Sequence, residues 1–186
     1  MKYIKKYENF DLGEEESKYN IIYYIRKNDL KSVRKLLKRN IEIDKKYGEC
    51  EDTALTCAIF YQGSFAIIKE LIKYGADINL GDNTDVTPLM CAIIQNRPTI
   101  FDYLLHLDGI DINKISKEFE SALIITAQFD KAKMAEKLIE AGADIQYKDD
   151  EDRDFYDIAK QFESNHIINM VEKKYPEFIA VKKYNL

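Results

Sequence analysis

Thr87-Pro88-Leu89-Met90-Cys91-Ala92, then Ile100-Phe101-Asp102-Tyr103-Leu104-Leu105, then Gly109-Ile110-Asp111-Ile112-Asn113, is the stretch from which the fold can be read. A threonine before a proline suits a helix start. The hydroxyl accepts from an otherwise orphan backbone N–H, and proline fits the first helical position, where no N–H is needed. Ile100, Phe101, Leu104 and Leu105 fall on one helical stripe, and Gly109 offers a left-handed stop. The spacing predicts helix, turn, helix, loop.

The same opening recurs as Thr53-Ala54-Leu55-Thr56-Cys57-Ala58, as Ser121-Ala122-Leu123-Ile124-Ile125-Thr126-Ala127 and, more weakly, as Asp154-Phe155-Tyr156-Asp157-Ile158-Ala159, at intervals of 34, 34 and 33 residues. The ending recurs as Gly75-Ala76-Asp77-Ile78-Asn79 and Gly142-Ala143-Asp144-Ile145-Gln146, 34 residues before and 33 after its central copy. Two markers keeping one period imply a stack of repeats without a single globular core. A period near 33 with these motifs resembles the ankyrin repeat, most specifically over residues 53 to 146. The expected fold class is an all-α ankyrin-repeat solenoid of stacked helix-turn-helix units with short loop fingers. Its expected parts are an N-terminal cap over 1–17, a degenerate first repeat over 18–47, repeats over 48–82, 83–117 and 118–150, a C-terminal capping repeat over 151–178, and a tail over 179–186.

Of 186 residues, 46% are hydrophobic and 33% charged, which is enough to bury a continuous seam and too apolar for disorder. The net charge of −5 argues against a general nucleic-acid binder and against docking on anionic lipid. The start, Met1 to Glu8, lacks the apolar segment of a signal peptide, and no apolar run is long enough to span a bilayer. Cys57 and Cys91 hold equivalent places in adjacent repeats, where stacked helices lie about 8–10 Å apart, beyond the ~7 Å reach of a disulfide. Both are therefore expected as small buried thiols, in a cytoplasmic, reducing setting, with secretion as an effector left open.

In the first repeat, Ile21, Ile22 and Ile25 supply one helix and Val33, Leu36 and Leu37 the next, with Asn40 standing in for glycine at a left-handed end. Gly63, Asn96 and Asp130 punctuate the later helix pairs as turn-tolerant residues. The last unit carries Ile167, Ile168, Met170 and Val171 as its second stripe and is expected to stop at Pro176, with no assignment for the tail. Tyr3, Ile4, Tyr7 and Phe10 can line a short helical cap before the first repeat. The family pattern is not complete. Thr56, Met90, Ile124 and Asp157 stand where it has histidine, and Asp85, Phe119 and Asp152 where it favours a loop glycine.

No catalytic, metal or cofactor motif is present. His106 and His166 belong to no H-E-x-x-H or C-x-x-C arrangement, and no phosphate loop or nucleophile elbow occurs. The acids from Asp149 to Asp152 lack the spaced oxygens and central glycine of a calcium loop. An enzyme is not expected, and no cofactor.

What remains is a surface. The resemblance implies a protein partner, met on the concave side by loop tips and the outward faces of the first helices. The equivalent positions there are Phe60-Tyr61, Ile94-Gln95, Gln128-Phe129 and Gln161-Phe162, with Arg26-Lys27 in the first repeat. Their rings either face a partner or lie down on neighbouring repeats. The loop tips carry Glu49, Glu51, Asp52, Asp82, Asp85, Glu118, Glu120, Asp149, Asp150, Glu151 and Asp152, eleven acids against six bases. Such a rim suits a basic partner surface, or is simply solvated. The expected function is a non-enzymatic protein-interaction module, monomeric when free. The alternative is a stoichiometric inhibitor or immunity-type protein masking a basic active site.

Overall fold

The computed structural model describes residues 20–48, 51–118 and 120–184. The cap expected over 1–17, and the positions of Glu49 and Phe119, lie outside them. Among the described residues, five helix pairs follow one another: α1 (Ile21–Arg26) with α2 (Leu30–Leu37), α3 (Ala54–Phe60) with α4 (Phe65–Lys73), and α5 (Pro88–Ile94) with α6 (Pro98–Leu105). Next come α7 (Ala122–Gln128) with α8 (Ala132–Glu140), α9 (Phe155–Gln161) with α10 (Asn165–Lys174), and a last helix, α11 (Pro176–Tyr184). One loop forms a short antiparallel hairpin of β1 (Ile115–Ser116) and β2 (Glu120–Ser121). The fold is the all-α solenoid expected from the repeats.

Each first helix begins as its sequence dictates. Thr53, Thr87 and Ser121 accept from the N–H groups of Thr56 (3.1 Å), Met90 (3.3 Å) and Ile124 (3.2 Å), and Asp154 accepts from Tyr156 (2.9 Å) and Asp157 (3.0 Å). Each such cap contributes about 1 kcal/mol. The absent histidines have substitutes. The Thr53 N–H donates back to the Thr56 hydroxyl (2.9 Å), and the Asp154 N–H to the Asp157 carboxylate (3.3 Å), so reciprocal capping boxes close both ends.

Small side chains explain the curvature. Ala54, Cys57, Ala58, Cys91, Ala92, Ala122, Ala127 and Ala159 are buried along the first helices, while Leu71, Phe101, Leu104 and Leu138 fill the second-helix layer. The first helices of successive repeats contact one another more closely than the second helices do. The stack therefore bends with the first helices inside.

At the turns, the left-handed residues are Asn28, Gln62, Asn96, Asp130 and Glu163, with φ between 50° and 56°. The second of these corrects the expectation for Gly63. The glycine sits one residue later, where its N–H closes α3 on the Ala58 carbonyl (2.8 Å), as Arg97 closes α5 on Ala92 (2.8 Å). Asn28 and Asp130 do more than turn the chain. Their side-chain oxygens accept from Ser64 N–H (2.9 Å) and Ile167 N–H (3.1 Å) in the following repeat. Asn40, Gly75, Gly109 and Gly142 end the second helices with positive φ. The polar residues after them form a ladder: Asp44, Asn79 and Asn113 accept from the N–H groups of Asp77 (2.9 Å), Asp111 (2.8 Å) and Asp144 (2.9 Å), each one repeat onward.

As expected, α10 ends just before Pro176, at Lys174, but a further helix follows. The proline occupies the first position of α11, where no N–H is required. Phe178 and Ile179 pack against the core, and Lys182 contacts the carboxylates of both Asp154 and Asp157. The tail is thus folded onto the last repeat as far as Tyr184.

Candidate protein-binding surface

The expected aromatic positions occupy one structural place. Tyr61, Gln95, Phe129 and Phe162 are the C-cap residues of α3, α5, α7 and α9, and Lys27 is that of α1. Each stands just before a left-handed residue, where the chain reverses, so its side chain projects from the inner edge of the stack. Ile94, Gln95 and Gln128 are half-buried along that edge.

The rings divide into two groups. Phe60 and Tyr61 are half-buried and meet edge to face at 5.6 Å, and the Arg26 guanidinium lies over Tyr61, 4.6 Å from its ring centre. Phe129 is 39% exposed and Phe162 51%. Large apolar rings open to water at equivalent places gain free energy when a partner covers them, at about 25 cal/mol per Å² of apolar area removed from water. Phe60 and Tyr61 retain less to gain, because their neighbours already cover much of each ring.

The rim is less acidic than its composition. Asp52 and Asp82 are buried, contrary to the expectation of exposed tips. Asp82 accepts from Thr84 N–H (2.8 Å), the Thr84 hydroxyl (2.8 Å) and Val86 N–H (3.1 Å), holding its finger together. Asp52 lies beside the Thr53 capping box, where the Thr56 hydroxyl reaches it at 3.3 Å. The Asp149 side chain is only 5% exposed and pairs with Arg153 at 2.7 Å. Burial alone would raise its pKa, but bonds from the Arg153 side chain and from the N–H groups of Arg153 and Glu151 hold the carboxyl below its usual range.

Asp85 meets Lys117 of the next finger at 2.8 Å. That bond holds the Asp85 carboxyl low and the Lys117 ammonium high. Lys117 N–H also donates to the Thr84 carbonyl (2.8 Å), tying the two fingers. Glu120 is half-buried, has φ 63°, and accepts from the Tyr147 hydroxyl at 2.6 Å, which pushes the tyrosine up to about 12. Glu118, Asp150 and Glu151 are exposed, with Glu151 paired to Arg153 at 2.7 Å. Glu49 falls outside the described residues.

Sequence reasoning missed Arg97. Its guanidinium reaches back one repeat and donates to the carbonyls of Ile59 (3.0 Å), Ala58 (3.3 Å) and Gly63 (2.8 Å), the open end of α3. The signal was a cation between the Asn96 turn and Pro98, just past the end of a helix, and charge near a helix C-terminus is favourable.

Among the described residues, no group of three or more His, Cys, Asp and Glu is arranged to hold a metal, and no helix is long and apolar enough to cross a membrane. His106 bonds the Asp102 carbonyl (2.6 Å) and His166 the Asp130 carboxylate (2.5 Å).

The chain is similar to an ankyrin repeat and KH domain-containing protein of Caenorhabditis briggsae, 32% identical over 120 residues, covering 64% of this chain and 4% of that protein. It is likewise 32% identical over 127 residues to the transient receptor potential cation channel subfamily A member 1 of Drosophila melanogaster, covering 65% of this chain and 10% of the channel. Alpha-latroinsectotoxin-Lt1a of Latrodectus tredecimguttatus is 35% identical over 115 residues, 60% of this chain and 8% of the toxin. The chain thus spans a tenth or less of the length of these relatives. The family model for ankyrin repeats, three copies, matches residues 21–116, half of the chain, and the chain belongs to the ankyrin-repeat family, whose repeats mediate protein–protein interaction.

Proposed function

We propose that this chain binds a protein on its concave side, with Phe129 and Phe162 as the apolar centre and the finger acids Glu118, Asp150 and Glu151 as a rim facing a basic partner surface. The observation that carries the reading is the pair of exposed rings at equivalent C-cap positions of α7 and α9. Buried aromatics at the middle of an interface dominate its energy, and flanking charge sets encounter rate and register. The chain performs no reaction in this reading, and its buried thiols Cys57 and Cys91 suit a reducing, intracellular compartment.

A photo-crosslinking side chain placed at Phe129 or at Phe162 should give the same adduct from a cell extract, and one placed at the exposed Lys133 of α8 should not. The adduct should disappear when the other ring is changed to serine. Equal adducts from all three positions would overturn the concave assignment. With the partner in hand, Asp150→Lys with Glu151→Lys should slow association about tenfold at low salt, an effect that fades as the screening length shortens to ~3 Å at 1 M. Asp149 is left intact because its carboxylate holds the finger.

A further inference from the structure

Opposite the concave side, the first repeat carries a face of contrary charge. Residues 20–48 contain nine Lys and Arg against three Asp and Glu, whereas the whole chain carries −5. Lys31, Arg34, Lys35, Lys38 and Arg39 are all exposed and recur at the three-to-four-residue spacing of one helix side, while Val33, Leu36 and Leu37 take the buried side of α2. The neighbouring helix continues the row with exposed Lys69 and Lys73 and with Tyr74, 38% exposed. Among the described residues, two acids near this face are engaged locally. Glu70 binds Arg34 at 2.8 Å and joins the two helices, and Asp29 caps α2 through Ser32. Glu42 is exposed beyond the end of α2.

The row stops at the third repeat. There the outer side presents Asp102, Tyr103 and His106, and α8 carries Glu136 and Glu140. Lys137 and Lys174 on these later helices are bound to Asp102 and Glu136. The basic face is therefore bounded: α2 is 8 residues long, about 12 Å at ~1.5 Å per residue. Two helices about 8–10 Å apart extend it to roughly 20 Å across.

We propose that the outer face of α2 and α4 is a second docking site, independent of the concave one, and that its occupant is a short acidic polypeptide segment. Size and charge choose this class. An extended chain advances about 3.3–3.6 Å per residue, so roughly six residues cover the face. A duplex or an anionic bilayer extends much further, over Asp102 and Glu136, whose charge Lys137 and Lys174 already offset, and over the exposed Glu140. That surface offers a polyanion little net attraction, so a segment that ends where the lysines end matches the face best.

The test is fluorescence anisotropy at low salt with a labelled hexaglutamate peptide, alongside a short DNA duplex and phosphatidylserine vesicles as probes. The full chain should bind the peptide saturably and more tightly than either polyanion. Lys31→Gln, Lys35→Gln, Lys38→Gln and Lys73→Gln together should weaken the peptide by about tenfold or more, while Lys133→Gln with Lys173→Gln stays within about twofold. Arg34 is spared because it links the helices through Glu70. An NMR titration of the unaltered chain guards against a misfolded variant: the shifting amides should lie in α2 and α4. The proposal is overturned by no saturable peptide binding, by tighter binding of duplex or vesicles, by shifts elsewhere, or by a well-folded fourfold variant that binds as the parent does.

Discussion

The middle of the stack and its C-terminal end are held together by different forces. Around α5, Leu89, Met90, Cys91, Ala92 and Ile93 are all buried between the first helices of both neighbours. At the end, only Ile167 and Val171 of α10 are fully buried, with Ile168 and Met170 half-covered. Cohesion there passes to polar contacts: Lys182 with Asp154 and Asp157, Lys174 with Glu136, and the Tyr156 hydroxyl with Glu172 at 2.7 Å. A terminal repeat has solvent where the others have a neighbour, so a polar outer face keeps it soluble at some loss of cohesion. The middle should therefore be sensitive to lost volume and the end to lost charge.

The largest expected effect is in the middle. Leu104→Ala, at a fully buried site, should cost about 2–5 kcal/mol in a denaturant titration. Val171→Ala, at an equally buried site of the end repeat, should cost less, because fewer methylenes are removed and the flanking end can relax. A Leu104→Ala loss under about 0.5 kcal/mol would break the contrast. Next is Arg97→Met, which leaves the carbonyls of Ala58, Ile59 and Gly63 without their cation and should cost about 1–3 kcal/mol. Stability unchanged by it would mean that water satisfies those carbonyls equally well.

Those two sites differ in how readily the sequence discloses them. Leu104 was legible because a period near 34 with a stripe of apolar residues leaves few places for it to point. The left-handed residues were partly legible: Asn40 and Asn96 are chemically suited to positive φ, whereas Gln62 and Glu163 are not and take it because the repeat register demands it. Burial of the finger acids was not legible. Asp82 and Asp149 each accept from N–H groups two and four residues onward, a local bond that composition cannot distinguish from a solvated carboxylate. Arg97 was missed because its partners lie in the preceding repeat. The helix α11 was missed because its weakly amphipathic sequence carries little periodic signal, and its position rests on the contacts of Lys182.

That ion cluster makes the end titratable. Burial opposes ionisation of Asp157, but the Lys182 ammonium and the Asp154 N–H hold its carboxyl below 3.8. A carboxyl depressed in the folded state stabilises it above the unfolded value and loses that contribution as pH falls through the folded one. The methyl signals of Val181 should thus keep their native positions at pH 5 and move toward unfolded values below about pH 4. Leu104 signals should persist through the same range. Asp157→Asn should loosen α11 already at neutral pH, and coincident loss of both sets of signals would show that middle and end melt as one unit.

The smallest expected effect compares one backbone position in the two regions. Asn96 and Glu163 both turn a helix pair with φ near 50°. Asparagine visits that conformation readily, while a longer side chain costs roughly 1–2 kcal/mol there. Glycine removes the strain but adds about 0.5–1 kcal/mol of chain entropy to the unfolded state. Glu163→Gly should therefore stabilise the protein by up to about 1 kcal/mol, whereas Asn96→Gly should be neutral or slightly destabilising. Glu163 is exposed, so little packing is lost with its side chain. Parallel denaturant titrations of the two variants decide it: a Glu163→Gly protein less stable than its parent would mean that the carboxylate makes a favourable contact at the end of the stack that outweighs the backbone strain.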